Sequence, residues 1–368
     1  MHSSRTHLAR RRPPAAGPSQ SAALRLAFTL LELLIAISII AVLAGLILTA
    51  GSAAMIRAHN AQVSADILSL STGISAFKQK FGIEPPSSIT IYEQGTNSAP
   101  SGTGWNNDAR SMGIIRQIWP QFDFTYAVEG GQIDINGDGF YDGDGTTSPA
   151  AGAIPLNGAE CLAFFLGGMP TAASPANHYY QNPVPTPRQA GPPTGFSQSP
   201  VDPFNRTGSN RLTFTELDKT RLLLYTPTGG TQHTMNTYLD TLSGQTQPYL
   251  YLSSYGGQGY NINELVGPSP SLGSAPGANN PVGNAFVDVY RQGTLSYWTS
   301  TSPTFVQNTG TVSPPWNANS YQIISPGGDQ QYGTGGDYET ATANTALTQT
   351  RGGERDNITN FSSGVLAP

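Results

Sequence analysis

The chain has 368 residues, of which only 11% are charged, with 42 Gly, 29 Pro and a formal net charge of −5. Five Arg and no acidic residue precede Phe28, so without that leader 13 basic and 23 acidic residues remain, a net charge of −10. This acidic balance argues against a nucleic-acid partner. The single cysteine, Cys161, excludes an intrachain disulfide framework. Abundant Gly and Pro with ordinary aromatic content favour a loop-rich, β-containing fold over a helical enzyme.

A continuous apolar stretch runs from Phe28 to Ala50, with Glu32 as its only charge. At about 1.5 Å rise per residue, it is long enough to cross a bilayer core as a helix. The arginines before it place the N-terminus on the cytoplasmic side by the positive-inside rule. The sequence therefore predicts a transmembrane helix over residues 28–50, in a single-pass inner-membrane protein whose C-terminal head is periplasmic or extracellular.

Glu32 needs a partner in such a helix, because an isolated carboxylate within hydrocarbon costs about 3 kcal/mol. Cleavage after Ala27 would free the amino group of Phe28. That amine can meet the Glu32 carboxylate of a neighbouring, axially staggered helix. The pairing neutralises both charges in a packed bundle of identical helices.

The segment Phe28-Thr29-Leu30-Leu31-Glu32, after a basic leader and a small residue, closely resembles the N-terminal signature of type IV pilins and type II secretion pseudopilins. The resemblance implies cleavage between Ala27 and Phe28 by a prepilin peptidase, N-methylation of Phe28, and a Glu32 that sets register during assembly. The family strongly prefers Gly before the cut, and Ala27 departs from that pattern. The implied partners are further copies in a homo-oligomeric filament, other pseudopilins, the prepilin peptidase/methyltransferase and an inner-membrane assembly platform.

Two other interpretations of this segment stay open. A cleaved secretory signal would have a shorter apolar region followed by a small-x-small site. A plain signal anchor accounts for the hydrophobicity and the arginines, but not for the position of Glu32 relative to Phe28-Thr29-Leu30.

Helical periodicity continues beyond the apolar stretch, with apolar residues alternating at spacings of four and three; they are Val63, Ile67, Leu70, Ile74, Phe77 and Phe81. Gly82 and Pro85-Pro86 then end the helix. The sequence predicts one helix from Phe28 to about Lys80, about 80 Å long. In the resembling family, the second half of this helix lies against an antiparallel sheet, so the predicted class is α+β and pilin-like, nearest the major pseudopilins.

The predicted organisation is a cytoplasmic leader (1–27), a long helix (28–82), a globular head with long loops (83–340) and a flexible tail (341–368). Two helices are predicted in the head, Ser111–Trp119 and Gly158–Leu166, the second with Asn157 as its N-cap. Short alternating runs predict the strands; they are Leu212–Thr215, Leu222–Tyr225, Tyr249–Leu252, Phe286–Tyr290 and Tyr321–Ile324.

An Asp/Gly-rich loop, residues 134–145, is the strongest metal candidate. Oxygen donors in the spacing of an EF-hand or dockerin loop are Asp134, Asn136, Asp138, the Phe140 carbonyl and Asp142. The bidentate acid expected at position 12 is replaced by Gly145, and Asp144 or an acid from elsewhere can substitute. Hard oxygen ligands favour calcium over zinc. A solvated turn is the alternative.

Asp329 and Asp337 form a second metal candidate. They lie in a C-terminal segment that resembles the one in which major pseudopilins bind calcium, and the resemblance implies calcium there too. A bare acidic turn has the same appearance in the sequence.

No catalytic motif is present, and His178 and His233 stand alone, so the sequence predicts a protein that is not an enzyme. The predicted function is a structural subunit of a type II secretion pseudopilus or a type IV pilus-like filament. The alternatives are a minor or tip subunit with a binding head, and a signal-anchored extracytoplasmic binding domain or enzyme.

Overall fold

The computed structural model describes residues 29–138, 141, 152–171, 191–224, 235–260, 289–292, 313–333, 335–340, 347 and 349–367, with the side chains of 46–53, 349 and 350 excepted. The chain divides into two compact units, Met1–Met55 and Ile56–Pro368. The first helix, α1, extends over Leu30–Phe81. Two shorter helices follow, α2 over Ala109–Ile118 and α3 over Gly158–Gly167.

Among the described residues, no helix combines the length and apolar character that a bilayer crossing requires. The transmembrane helix predicted over residues 28–50 is therefore wrong, and the predicted fold class, a head on a membrane-spanning helix, is corrected. Helix α1 begins at Leu30 and has Glu32 in its first turn. The structure is α+β, with a long N-terminal helix and several small sheets.

The second part of α1 forms one side of the main core. Its apolar stripe is buried as the periodicity predicts, from Val63 to Phe77, with each residue 0–3% exposed. The helix ends where the sequence indicates, because Gly82 adopts a positive φ of 79° and its N–H donates to the Lys78 carbonyl at 2.8 Å.

Helix α3 lies at the centre of the second unit and is buried at all ten residues. Asn157 caps it as predicted, in a reciprocal capping box: the Asn157 side chain accepts from the Glu160 N–H, and the Glu160 carboxylate accepts from the Asn157 N–H. Helix α2 is capped by Asp108, which accepts from the Ser111 N–H at 2.9 Å. These caps satisfy amide donors that would otherwise be unpaired at helix starts.

The strands form small sheets. Their bounds are β1 Ile89–Tyr92, β2 Ala153–Leu156, β3 Phe196–Ser197, β4 Arg211–Leu212, β5 Leu222–Leu224, β6 Asn236–Tyr238, β7 Leu250–Ser253, β8 Tyr290–Gln292, β9 Tyr321–Ser325, β10 Gly336–Tyr338 and β11 Ile358–Thr359. Antiparallel pairs join β1 to β2, β3 to β4 and β5 to β6, and β8 pairs with β10 in parallel. The three-stranded antiparallel sheet has the order β11-β9-β7.

The three-stranded sheet separates two cores. One contains α3 and the buried stripe of α1. The other contains Leu250, Ile324, Tyr290 and Tyr338, together with Leu366 from the last residues of the chain. The tail predicted over 341–368 is therefore corrected for residues 349–367, because they supply β11 and part of this second core.

Candidate functional site

The first part of α1 exposes a continuous series of large apolar side chains. From Leu30 to Leu43 the most exposed are Leu30 at 84%, Leu31 at 67% and Ile40 at 64%; Leu33, Leu34, Ile35, Ile37, Ile39, Val42 and Leu43 are 48–63% exposed. Contiguous apolar surfaces of this kind mark interaction sites, since isolated soluble proteins rarely expose them. We call residues 30–43 the apolar segment.

Glu32 is the only charge in the apolar segment and is held at the start of α1 by Thr29. Its Oε2 accepts from the Thr29 N–H and from the Thr29 hydroxyl, both at 3.1 Å, and its own N–H donates to the Thr29 Oγ1 at 3.2 Å. This is a reciprocal capping box, and the spacing Thr-x-x-Glu is the sequence signal that predicts it. The proposed processing residues, Ala27 and Phe28, lie outside the described residues.

A charged cluster joins α1 to the strands within the second unit. Arg221 donates from Nη1 to Asp66 Oδ1 at 3.1 Å and from Nη2 to Asp66 Oδ2, while the Tyr249 hydroxyl donates to Asp66 Oδ2 at 2.7 Å. Burial and the Asp66 charge raise the pKa of Tyr249 well above its ordinary value. Sequence reasoning missed this cluster, because Arg221 lies 155 residues after Asp66.

The Asp/Gly loop is described from Asp134 to Asp138, whereas Phe140, Asp142 and Asp144 lie outside the described residues. Asp134 Oδ1 accepts from the Gly137 N–H at 2.7 Å, and Asn136 Oδ1 accepts from the Asp138 N–H at 3.1 Å. A guanidinium, that of Arg206, lies 3.5 Å from Asp134 Oδ2. The side chains at the first and third loop positions thus accept bonds from N–H groups of the loop itself. Calcium at this loop stays a prediction.

Arg206 is also enclosed by protein. Burial lowers the pKa of Arg206 below its ordinary value, and the negative charges of Asp134, Glu93 and Asp138 offset only part of this effect. Glu93 is fully buried and accepts from the Ile135 N–H at 2.9 Å.

The two C-terminal acids, Asp329 and Asp337, form hydrogen bonds with different residues. Asp329 lies beside Asp356, whose Oδ2 accepts from the Asp329 N–H at 3.1 Å; burial and the Asp356 charge raise the pKa of Asp329. Asp337 lies in β10, and its carbonyl accepts from Arg351 at 2.8 Å. Within the described ranges, no group of three His, Cys, Asp or Glu side chains is arranged to hold a metal ion. Calcium at Asp329 and Asp337 stays a prediction.

A cleft that the sequence did not predict opens at the end of α1. It encloses about 490 Å³ and is lined by Lys78, Glu84, Arg110, Tyr255 and a glycine-rich turn. Lys78 pairs with Glu84 at 3.1 Å, and Arg110 donates to the Tyr255 hydroxyl at 3.3 Å. These residues come from segments distant in the sequence, so no local pattern indicates the cleft.

Comparison with models of known protein families, with curated proteins and with solved structures gave no match.

Proposed function

We propose that this chain is a structural subunit of a filament, either a type II secretion pseudopilus or a type IV pilus-like fibre, in which copies pack through the apolar segment of α1. The observation that carries the proposal is the exposed apolar surface from Leu30 to Leu43 with one acid at its start. A second copy of the same helix offers the complementary surface.

The free energies of burial and association are similar in size, so the charge of Glu32 affects whether the copies pack. Fully burying a Leu or Ile side chain contributes about 1.5–3 kcal/mol, so covering the half-exposed side chains of the apolar segment contributes on the order of 10 kcal/mol per copy. Association costs about 4–15 kcal/mol in lost freedom of motion, which is comparable. An unpaired carboxylate enclosed among apolar helices costs several kcal/mol more and decides the balance. Glu32 therefore needs a cationic partner in the filament.

The partner we propose is the amino group of Phe28 on a neighbouring copy, freed by a prepilin peptidase that cuts after Ala27 and N-methylates Phe28. An assembly platform then adds the subunit to the filament. Intact mass and N-terminal sequencing of the protein from a host with an active prepilin peptidase test this step. A chain that keeps its leader would contradict it.

Substitutions of Glu32 test the role of its charge. Glu32→Gln keeps the oxygen that caps α1, because Gln also forms capping boxes, but removes the charge. Glu32→Asp keeps the charge on a shorter side chain. We expect Glu32→Gln to lower the assembled fraction in a sheared-filament pellet as strongly as Glu32→Ala, and Glu32→Asp to retain part of it. The exposed Glu216→Ala variant is the matched control. Normal assembly of Glu32→Gln would show that the negative charge of Glu32 is not needed for filament assembly.

A minor or tip subunit with a binding head is the second candidate, and the cleft beside Lys78 and Arg110 favours it. Copy number separates the two. A major subunit forms most of the filament mass, whereas a tip subunit is present in trace amounts in the same pellet.

A further inference from the structure

The cleft at the end of α1 contains an acid that uses only one of its two oxygens. Glu84 Oε1 accepts from the Lys78 ammonium at 3.1 Å and from the Ser320 hydroxyl at 3.0 Å. The other oxygen, Oε2, is buried and has no hydrogen-bond partner among the described residues. A buried carboxylate oxygen without a donor is unfavourable, so a ligand group that donates to it would bind with a gain in free energy.

Lys78 controls access to this oxygen. Its side chain is 49% exposed, and its ammonium has three donors on a flexible stem. The ammonium can therefore turn toward an anionic group in the cleft while a neutral donor of the same ligand approaches Glu84 Oε2. Because Lys78 already balances the Glu84 charge, a hydroxyl suits this position better than a second ammonium would.

Arg110, in the first turn of α2, supplies a second cation to the lining. Its Nη1 donates to the Ser88 carbonyl at 3.1 Å and its Nη2 to the Tyr255 hydroxyl at 3.3 Å, and these bonds hold the guanidinium at the cleft. A guanidinium matches the planar geometry of a carboxylate. The described lining contains two cations and one acid, so the cleft favours an anionic ligand.

The remaining polar lining is typical of a site for a hydroxylated ring. Tyr255 has a φ of 51°, which is rare for an aromatic residue, and its hydroxyl also accepts from the Ser87 N–H at 3.3 Å. Gln117 and Gln258 are exposed and line the same cleft, and each amide can both donate and accept. The volume of about 490 Å³ lies in the range of small-molecule sites.

We propose that this cleft binds a sugar that carries a carboxylate, that is, a uronic acid unit. The carboxylate lies between the Arg110 guanidinium and the Lys78 ammonium, a ring hydroxyl donates to Glu84 Oε2, and the sugar ring lies along Tyr255. The proposal goes beyond the filament function and does not depend on it, because the described lining belongs entirely to the second unit.

Three probes test which ligand groups the cleft recognises. Glucuronate carries ring hydroxyls and a carboxylate, glucose lacks the carboxylate, and cyclohexanecarboxylate has a carboxylate on a ring without hydroxyls. Saturation-transfer NMR on the full chain in mild detergent measures their binding, with micelles alone as the blank. We expect glucuronate to bind about tenfold more tightly than either of the other two, because each of them lacks one charge-assisted hydrogen bond.

Variants assign the binding to this cleft. Arg110→Gln should weaken glucuronate binding about tenfold. Arg116→Gln is the matched control, because Arg116 lies on the same helix but over the Phe124 ring, at 5.1 Å. Glu84→Met should weaken the binding of glucuronate and leave that of cyclohexanecarboxylate unchanged. The comparison of the three probes on the parent chain tests the same hydroxyl contact if Glu84→Met does not fold.

Three results would overturn the proposal. The first is a parent chain that does not bind glucuronate, and the second is an Arg110→Gln variant that binds it as tightly as the parent chain does. The third is equal binding of glucuronate and cyclohexanecarboxylate to the parent chain, since the hydroxyl contact with Glu84 would then contribute nothing.

Discussion

Replacing Asp66 with Ala should destabilise the protein more than any surface substitution, because Asp66 is the acceptor at the centre of the charged cluster. It receives two bonds from Arg221 and one from the Tyr249 hydroxyl. The paired side chains are only 17% and 16% exposed. The variant leaves a cation and a hydroxyl without their acceptor in a mostly dry environment.

The size of the stability loss in Asp66→Ala depends on the contacts that Arg221 retains. Breaking a fully buried ion pair by removing one partner costs about 3–5 kcal/mol. Arg221 retains a bond from Nε to the Leu239 carbonyl at 3.0 Å and its position 4.2 Å above the Tyr238 ring. Partial exposure and these contacts reduce the expected loss to about 2–3 kcal/mol. In a unit that spans Ile56–Pro368, a loss of that size corresponds to a fall in melting temperature of about 3–5 °C.

Thermal unfolding followed by circular dichroism measures this shift, with Glu216→Ala as the exposed control. The double variant Asp66→Leu/Arg221→Met should recover much of the loss, since an apolar pair of similar volume often replaces a buried ion pair without net cost. A melting temperature for Asp66→Ala equal to that of Glu216→Ala would refute the reasoning. If the double variant does not regain the lost stability, the packing of these side chains contributes more than their charges do.

Three further predictions concern the second unit. Gly158→Ala should destabilise strongly, because its Cβ would lie 1.9 Å from a β7 carbonyl oxygen, whereas Gly113→Ala in α2 meets nothing within 4 Å and should stabilise by about 0.5–1 kcal/mol in chemical denaturation. Burial raises the pKa of Asp240 despite bonds from Ser325 and other donors. The native state therefore holds the Asp240 proton more tightly than the unfolded chain does. The contribution of Asp240 to the unfolding free energy is full below the ordinary Asp pKa and is lost as pH rises through the raised pKa of the native state. In urea titrations at several pH values, Asp240→Asn should remove this loss of stability. Arg351→Leu should cost about 3–5 kcal/mol in the same titrations, because Glu354, fully buried, loses its paired cation.

Local features of the fold were predictable from the sequence. The buried stripe of α1, its end at Gly82 and the Asn157 cap depend on residues within one or two turns, where periodicity and capping chemistry act directly. The start of β9 at Tyr321 also follows from its apolar run.

Features that depend on distant residues were not predictable. Strand β11, at Ile358, lies in a Thr, Asn and Gly-rich segment, and it forms because β9 offers a free edge and Leu366 completes a core. The Asp/Gly loop is a second example, because one of its contacts also depends on a residue distant in the sequence. Its oxygen spacing was evident, but the cation that meets Asp134 comes from a residue far along the chain.

The most direct test of the filament proposal is the accessibility of the apolar segment before and after assembly. Ile40→Cys, at a side chain that is 64% exposed, provides a maleimide-reactive thiol, and the native Cys161 is buried. Val128→Cys, at a position 72% exposed in the second unit, is the control. We expect the Ile40→Cys thiol to react quickly in the monomer and slowly in sheared filaments, while Val128→Cys stays reactive in both. Equal labelling of Ile40→Cys in the two states would contradict packing through α1.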